Sequence, residues 1–226
     1  MERIIDYFRR KIFEKQCYKL RQRCMSLSLN GKHGNSDGVV DPKLYFQYKG
    51  LHIMWILKEA YGNDGIDQAK EKESITKASD FFGNRNSDGY KTFGPIIQLA
   101  YLLVSNINEE DVFESKEAYT DFKKSTCYVN IKKSPGTSSS DNASLEQIFK
   151  ENDDYRKTLI KQIKLYKPDI IIGGNTLQLI FPSNLFNDLT QKNNLPKSYE
   201  IFSGDIINTE KSYTINKVNN KTINGT

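Results

Sequence analysis

The sequence predicts an α/β protein with three layers, in which helices cover both faces of a central, mainly parallel four-stranded sheet. Two short apolar runs, Cys127–Ile131 and Pro168–Ile172, are typical of buried strands. Each run stops at small or polar residues, and a helical segment lies between them, as in a unit of two parallel strands joined by a crossover helix. Open α/β folds bind their ligands at the carboxyl edge of such a sheet. We therefore expect a binding site at that edge.

The elements before Cys127 follow from local patterns. Residues 2 to about 24 carry apolar residues at helical spacing among many charges, which predicts a helix packed on the domain with its basic residues in solvent. The apolar residues of this pattern are Ile4, Ile5, Phe8, Ile12 and Phe13. The composition of Asn30–Gly38 predicts a loop. His52–Leu57 reads as the first core strand, which ends at the polar turn beginning with Lys58.

The later elements include five predicted helices, one of them a short helix that Ser144 would cap. Phe93–Leu103 is predicted to be a helix with Pro95 in its first turn, where a missing N–H costs little. A charged helix is expected over Asn108–Lys123, and Ser144 with Gln147 has the spacing of a capping box. The remaining predictions are a crossover helix over Tyr155–Tyr166 that turns Leu159, Ile160 and Ile163 to the sheet, a helical Thr176–Phe181 and a strand-like Tyr199–Thr226.

Length and composition indicate one water-soluble domain. The 226 residues favour a single domain over 1–226, with residues 1–45 as a helix and loop extension. Apolar residues make up 37% of the chain, charged residues 27%, and the mean hydropathy is -0.64. The sequence contains no secretory leader pattern and no apolar run of membrane-spanning length, so neither export nor membrane insertion is expected. The formal charge of +5 is compatible with a polyanionic partner such as nucleic acid.

The cysteines exclude several classes of site. There are three, Cys17, Cys24 and Cys127, without CxxC spacing. This number and spacing argue against a disulfide framework and against a zinc site. The reducing cytoplasm is the expected location.

Four segments near the predicted strand ends carry a family resemblance. Lys58–Gly62 matches the Glu, Ala and last Gly of a Gly-Glu-Ala-Pro-Gly motif, and Phe93-Gly94 is similar to a Phe-x-Gly segment. Asn130–Pro135 is similar to a strand end written Asn-x-x-Lys-x-x-Pro, with its proline one place early. Leu159–Gly173 is similar to a helix and strand that end in a glycine. In this order the segments resemble the uracil-DNA glycosylase superfamily, most nearly its bacterial and archaeal branch with the Gly-Glu-Ala-Pro-Gly motif.

Two features of that family are missing. Its later His-Pro-Ser type loop has no match, because the only histidines are His33 and His52, both far upstream. Either the protein continues beyond Thr226, which we expect, or it is a relative with altered catalysis. The iron–sulfur cluster of that branch needs four thiolates, and this chain has three cysteines. We expect no cluster, no other metal and no cofactor.

The resemblance implies roles in binding and hydrolysing a nucleotide. Asn130 would read the O4 and N3–H edge of an extruded uracil, since its amide both donates and accepts. Phe93, or as a second choice Tyr61, would stack on the base. Glu59 would stabilise the developing charge on the sugar and orient water, with Asp64 as the rival carboxylate. The alternative interpretations are a turn-capping Asn, a core Phe and a solvated Glu.

Contacts to the DNA backbone are expected from the loops that follow the strands. Side chains with positive charge would neutralise phosphates, and small residues would let backbone amides approach them. The residues concerned are Lys132, Lys133, Ser134, Gly173, Gly174 and Asn175. Thr137–Ser140 could serve the same purpose. A solvated loop and a tight strand exit are the competing interpretations.

The leading hypothesis is hydrolytic removal of uracil or a related damaged pyrimidine from DNA by a monofunctional glycosylase. Strand cleavage is not expected, because the sequence offers no convincing Schiff-base lysine. The first alternative is a non-catalytic nucleic-acid or nucleotide-binding protein on the same fold, in a defence or regulatory role. A Rossmann-like nucleotide enzyme ranks last, because Gly173-Gly174 lacks the third spaced glycine of the fingerprint.

Overall fold

The computed structural model describes residues 2–59, 65–77, 79–80, 86–105, 114–136, 141–174 and 176, all within one compact unit, Met1–Ser183. The main helices are α1 (Glu2–Ser26), α2 (Pro42–Gln47), α3 (Gln68–Glu73), α4 (Asp88–Ser105), α5 (Lys116–Ser125), α6 (Asn142–Glu151) and α7 (Asp153–Tyr166). The strands are β1 (Ser28–Leu29), β2 (Lys32–His33), β3 (Gly38–Val39), β4 (Ile53–Glu59), β5 (Thr126–Lys132) and β6 (Ile170–Gly173).

The central sheet is mixed and mainly parallel, as predicted. Its order is β3-β5-β4-β6, in which β4, β5 and β6 run parallel and β3 is antiparallel to β5. On one face, Trp55 and Tyr128 pack against Ile96 of α4 and Phe122 of α5. On the other, α7 contacts β5, and its Leu159 is fully buried. Helices therefore cover both faces.

Strand order determines where the sheet can bind a ligand. The chain passes from β4 to β5 on one side and then crosses to β6 on the other side of β4. The change of direction makes the carboxyl ends of β4 and β6 the topological switch point, where open α/β sheets hold their ligands. The β4–β6 pairing extends past the strand, since the Gly174 N–H donates to the Ile56 carbonyl at 2.9 Å.

The segment predicted as a loop is structured. Asn30 and Gly31 both have positive φ, 53° and 77°, as a two-residue type I′ turn requires, and they join β1 to β2 in a hairpin. Strand β3 follows, with Gly38 opposite Tyr128 and Val39 opposite Cys127. The loop prediction holds for residues 30–31 and 34–37 but missed these strands, because two-residue strands among Gly, Asn and Ser leave no alternating pattern.

Helix α1 exists as predicted, but with the opposite face turned inward. Ile4, Phe8 and Ile12 are 61%, 60% and 58% exposed. The inward side includes the buried residues Cys17, Arg21 and Cys24. Arg21, predicted to be solvated, donates to the carbonyls of Val39 and Val40 at 2.8 and 3.0 Å. These bonds tie α1 to the edge of the sheet, while the buried Arg21 Nε has no hydrogen-bond partner among the described residues.

Two helix starts differ from the predictions. Helix α4 begins at Asp88, five residues before Phe93, and Pro95 lies inside it rather than in its first turn. Helix α6 has Asp141 as its N-cap, which accepts from the backbone N–H groups of Ala143 and Ser144, so the predicted capping box is not formed. The predicted helix Thr176–Phe181, apart from its first residue, and the predicted strand Tyr199–Thr226 lie outside the described residues.

No helix in the described ranges combines the length and the apolar character needed to cross a bilayer.

Candidate functional site

The register of β4 and β5 places three predicted site residues on one face of the sheet. Leu57 lies opposite Asn130, and Glu59 lies opposite Lys132. Paired residues of neighbouring strands share a face, and side chains alternate along each strand. Glu59, Asn130 and Lys132 therefore lie on the face that carries Tyr128. Phe93 of α4 packs edge-on against Tyr128, with ring centroids 4.9 Å apart, and so joins the same face.

Asn130 is held by its backbone and not by its side chain. Its N–H donates to Asp37 Oδ2 at 2.6 Å. The residue is 3% exposed, and in the part of the chain that the structure describes no hydrogen bond engages its side-chain amide. A polar group in such a place is expected to find a partner. Because Asn130 lies inside β5, it does not cap a turn, and its amide keeps donor and acceptor capacity that the described residues do not use.

Glu59 forms an ion pair at the end of β4. Its Oε2 accepts from Lys132 Nζ at 2.5 Å, and the two side chains are only 9% and 15% exposed. A Cβ added to Gly136 would overlap the Glu59 carboxyl group. Any side chain at residue 136 would therefore push the carboxylate aside. Glu59 is thus a held carboxylate rather than the solvated one of the alternative interpretation, and Lys132 is engaged by it.

A cavity of about 310 Å³ opens beside this ion pair. Glu59, Lys132 and Ser134 contribute to its wall, together with Asp141 and Ser144 at the start of α6 and the β1–β2 hairpin. The volume is at the lower limit of small-molecule sites. Asn130 and Phe93 do not line this cavity; they lie further back on the sheet face.

Two of the residues expected to contact DNA phosphates are buried. Lys133 is 0% exposed, and its ammonium lies 2.8 and 3.1 Å from the two Asp37 oxygens and 2.9 Å from Gln162 Oε1. A phosphate cannot reach it, so that prediction was wrong for Lys133. Ser134 is 1% exposed and accepts a hydrogen bond from the Tyr155 hydroxyl at 3.3 Å. Both residues stabilise the strand end.

The other predicted residues are either partly exposed or outside the described ranges. Gly173 and Gly174 are half-buried at the end of β6. Tyr61, Asp64, Asn175 and the segment 137–140 lie outside the described residues. Among the residues that are described, no group of three His, Cys, Asp or Glu side chains is arranged to hold a metal ion.

Lys72 of α3 is a neighbour of the site that the sequence reasoning missed. Its ammonium lies 4.8 Å from the Phe93 ring centroid and 5.2 Å from that of Tyr128. Burial lowers the pKa of Lys72 to about 8, against a smaller opposing effect of Glu71. No sequence signal separates it from Lys70 two places earlier, because α3 carries charges on every side. The structure thus places a buried cation behind the aromatic part of the site face.

We expect Lys72→Met to raise the free energy of unfolding at pH 7 by roughly 1–2 kcal/mol. A pKa lowered from 10.5 to about 8 corresponds to about 3 kcal/mol, of which the ammonium–ring contacts offset part. Between these pKa values the unfolded chain binds a proton that the folded chain does not, so wild-type stability rises with pH from about 8 to 10.5. Denaturant unfolding at pH 7 and pH 10 measures both effects.

The variant should lose that rise in stability with pH. Lys70→Met, on the exposed side of the same helix, is the control and should leave both the stability at pH 7 and the pH dependence unchanged. A fall in stability for Lys72→Met at pH 7 would mean that the contacts of the ammonium, which include the Gln68 carbonyl at 3.5 Å as well as the rings, outweigh the cost of burial.

Comparison of the chain with family models, with curated proteins and with the solved structures found no match.

Proposed function

We propose that the protein binds an extruded pyrimidine nucleotide of DNA at the carboxyl edge of the sheet and hydrolyses its N-glycosidic bond, with uracil as the first candidate base. The observation that carries this proposal is the Asn130 side-chain amide. It has no internal hydrogen bond within the described residues, and it lies on the same sheet face as an aromatic ring and a carboxylate.

The relative positions of Asn130 and Glu59 suit the two ends of a nucleoside. Glu59 lies two residues beyond the partner of Asn130 along β4, which is about 7 Å along the strand direction. With the base edge at Asn130, the sugar would lie towards Glu59. A carboxylate there can stabilise positive charge that develops on the sugar and can orient a water molecule. Lys132 pairs with Glu59, and the lack of a side chain at Gly136 leaves room for the carboxylate, so Glu59 is positioned before the substrate arrives.

The ion pair also favours a second function, namely non-catalytic binding of nucleic acid or nucleotides. Lys132 neutralises Glu59 at 2.5 Å, and a neutralised carboxylate gives less stabilisation to a cationic sugar. If substrate does not separate the pair, the site retains base recognition without hydrolysis. Recognition by Asn130 is common to the two functions, whereas only the glycosylase requires Glu59.

Incubation with a DNA oligonucleotide that contains one uracil, followed by alkali, separates the two functions. A glycosylase produces strand breaks at the uracil and none in the matched thymine oligonucleotide, and Glu59→Gln lowers the rate by about 100-fold or more. A non-catalytic binder does not cleave the uracil oligonucleotide but binds it in an anisotropy titration. In that case Glu59→Gln leaves the affinity of the protein for the oligonucleotide unchanged. The proposal would be refuted if the protein neither cleaved the uracil oligonucleotide nor bound it more tightly than the thymine oligonucleotide.

A further inference from the structure

A second concave surface lies at the opposite edge of the sheet. It is a groove of about 880 Å³ between the middle of α1 and the carboxyl-terminal end of α7. His52, immediately before β4, and Lys167, shortly before β6, contribute to its wall. The amino-terminal ends of the parallel strands therefore face this groove. Strand β4 separates it from the candidate site by about 23 Å, so a ligand at one edge does not occupy the other.

The floor of this groove, here called the α1–α7 groove, is apolar. Ile12 and Phe13 of α1, Phe46 of α2 and Leu165 of α7 contribute to it. The exposed apolar side chains of α1 continue the apolar surface beyond the groove along the same helix. They are Ile4, Ile5 and Phe8. An apolar surface that extends along a helix beside a groove is a feature of sites that bind another helix.

The rim of the α1–α7 groove is positively charged. Arg9, Lys19, Lys161, Lys164 and Lys167 line it, and no aspartate or glutamate is among the described residues that do so. Arg9 approaches Asp6 at 4.0 Å, whereas the four lysines form no ion pair with a described residue. A second copy of the same face would bring like charges together. The charge of the groove is therefore complementary to an acidic partner and unfavourable to self-association.

Lys167 has a backbone conformation that is unusual for its residue type. It ends α7 with φ 46° and ψ 58°, the left-handed conformation that glycine adopts most readily. This conformation costs a lysine about 1–2 kcal/mol relative to glycine, so the backbone tolerates glycine at this position. Its exposed ammonium lies on the rim of the groove.

We propose that the α1–α7 groove binds an acidic amphipathic helix of another protein, with the apolar side of that helix on Ile12, Phe13 and Leu165 and its carboxylates facing the four lysines. A nucleic acid would leave the apolar floor without a partner. A flat lipid surface would not reach the recessed Phe13 and Leu165. The proposal is independent of the glycosylase proposal, because it uses none of the same residues.

The test uses a labelled synthetic peptide of about fifteen residues, with leucines at helical spacing and glutamates elsewhere, in an anisotropy titration against the full chain. We expect saturable binding that weakens at least tenfold in the triple variant Lys161→Glu, Lys164→Glu, Lys167→Glu, and likewise in Ile12→Ser. Lys157→Glu, on α7 but outside the groove lining, is the matched control and should change affinity less than twofold. Lys167→Gly should weaken binding without lowering the melting temperature.

Three results would overturn the proposal. The first is no binding of the peptide at about 100 µM. The second is equal binding of a scrambled peptide of the same composition, which would mean that only negative charge is recognised. The third is binding to phosphatidylserine vesicles or to a DNA duplex that is tighter than binding to the peptide and that depends on Lys161 and Lys164. This result would identify a lipid surface or a nucleic acid as the ligand instead.

Discussion

Lys133→Met is expected to lower the free energy of unfolding by about 3–5 kcal/mol, because it leaves the Asp37 carboxylate buried without its cation. Both side chains of this pair are 0% exposed. Asp37 also accepts from Gln162 Nε2 at 2.6 Å and from the Asn130 N–H at 2.6 Å, and these two bonds cannot replace a full positive charge. Trp55, the single tryptophan and 4% exposed, reports the transition by its fluorescence during denaturant unfolding.

Two controls test the cause of this loss. Lys150→Met removes a 53% exposed ammonium that lies 2.6 Å from Glu146, and it should change stability by less than about 0.5 kcal/mol. The double variant Asp37→Asn, Lys133→Met removes both charges and keeps an oxygen for the Asn130 N–H. It should be less destabilised than the sum of the two single variants. Additive losses would mean that the pair does not interact in the way the geometry indicates.

Asn130→Ala is expected to reduce uracil excision, or uracil binding if the protein is a binder, by roughly 100-fold. The change removes two hydrogen bonds to the base edge, each worth about 1–1.5 kcal/mol. The backbone bond to Asp37 is retained, so we expect the stability to fall by only about 1 kcal/mol. Single-turnover excision rates, together with unfolding curves of the same preparations, separate a loss of recognition from a loss of folding.

A matched variant distinguishes recognition from simple proximity to the site. Thr126→Ala changes another polar residue of β5, buried four positions earlier, and should leave the excision rate or affinity within about twofold. If both variants reduce activity in proportion to their loss of stability, the role of Asn130 is structural. In that event the proposed function loses its central observation.

The sequence was sufficient to predict the three parallel strands and the carboxyl edge at which Glu59 and Asn130 lie. Apolar runs located the core of each strand, but the predicted ends were wrong, because β4 continues through Lys58 and Glu59 and β5 through Lys132. Edge strand β3 could not be predicted in this way, because its two residues are defined only by their pairing with Tyr128 and Cys127. Long-range pairing is not encoded in a local pattern.

The lysine pair shows a second limit of sequence reasoning. Lys132 and Lys133 are identical in type and adjacent, yet one forms the ion pair of the site and the other is wholly buried. The period of two along β5 turns Lys132 to the side of Asn130 and Lys133 towards Gln162 of α7. Only the packing of α7 decides which lysine is in the core. The inverted face of α1 has a similar cause, since the binding of Arg21 to β3 carbonyls could not be foreseen while β3 was unknown.

The bond between the Asn130 N–H and Asp37 has a consequence for motion. The Asp37 carboxylate accepts hydrogen bonds from the Asn130 N–H of β5, from the Lys133 ammonium just after β5 and from the Gln162 amide of α7. The Cys24 thiol of α1 also donates to it, at 3.6 Å. Separating any one of these segments breaks contacts with the rest, so they should open as one cooperative unit. The Asn130 amide proton should therefore exchange with deuterium more slowly than those of residues at the exposed ends of the described helices.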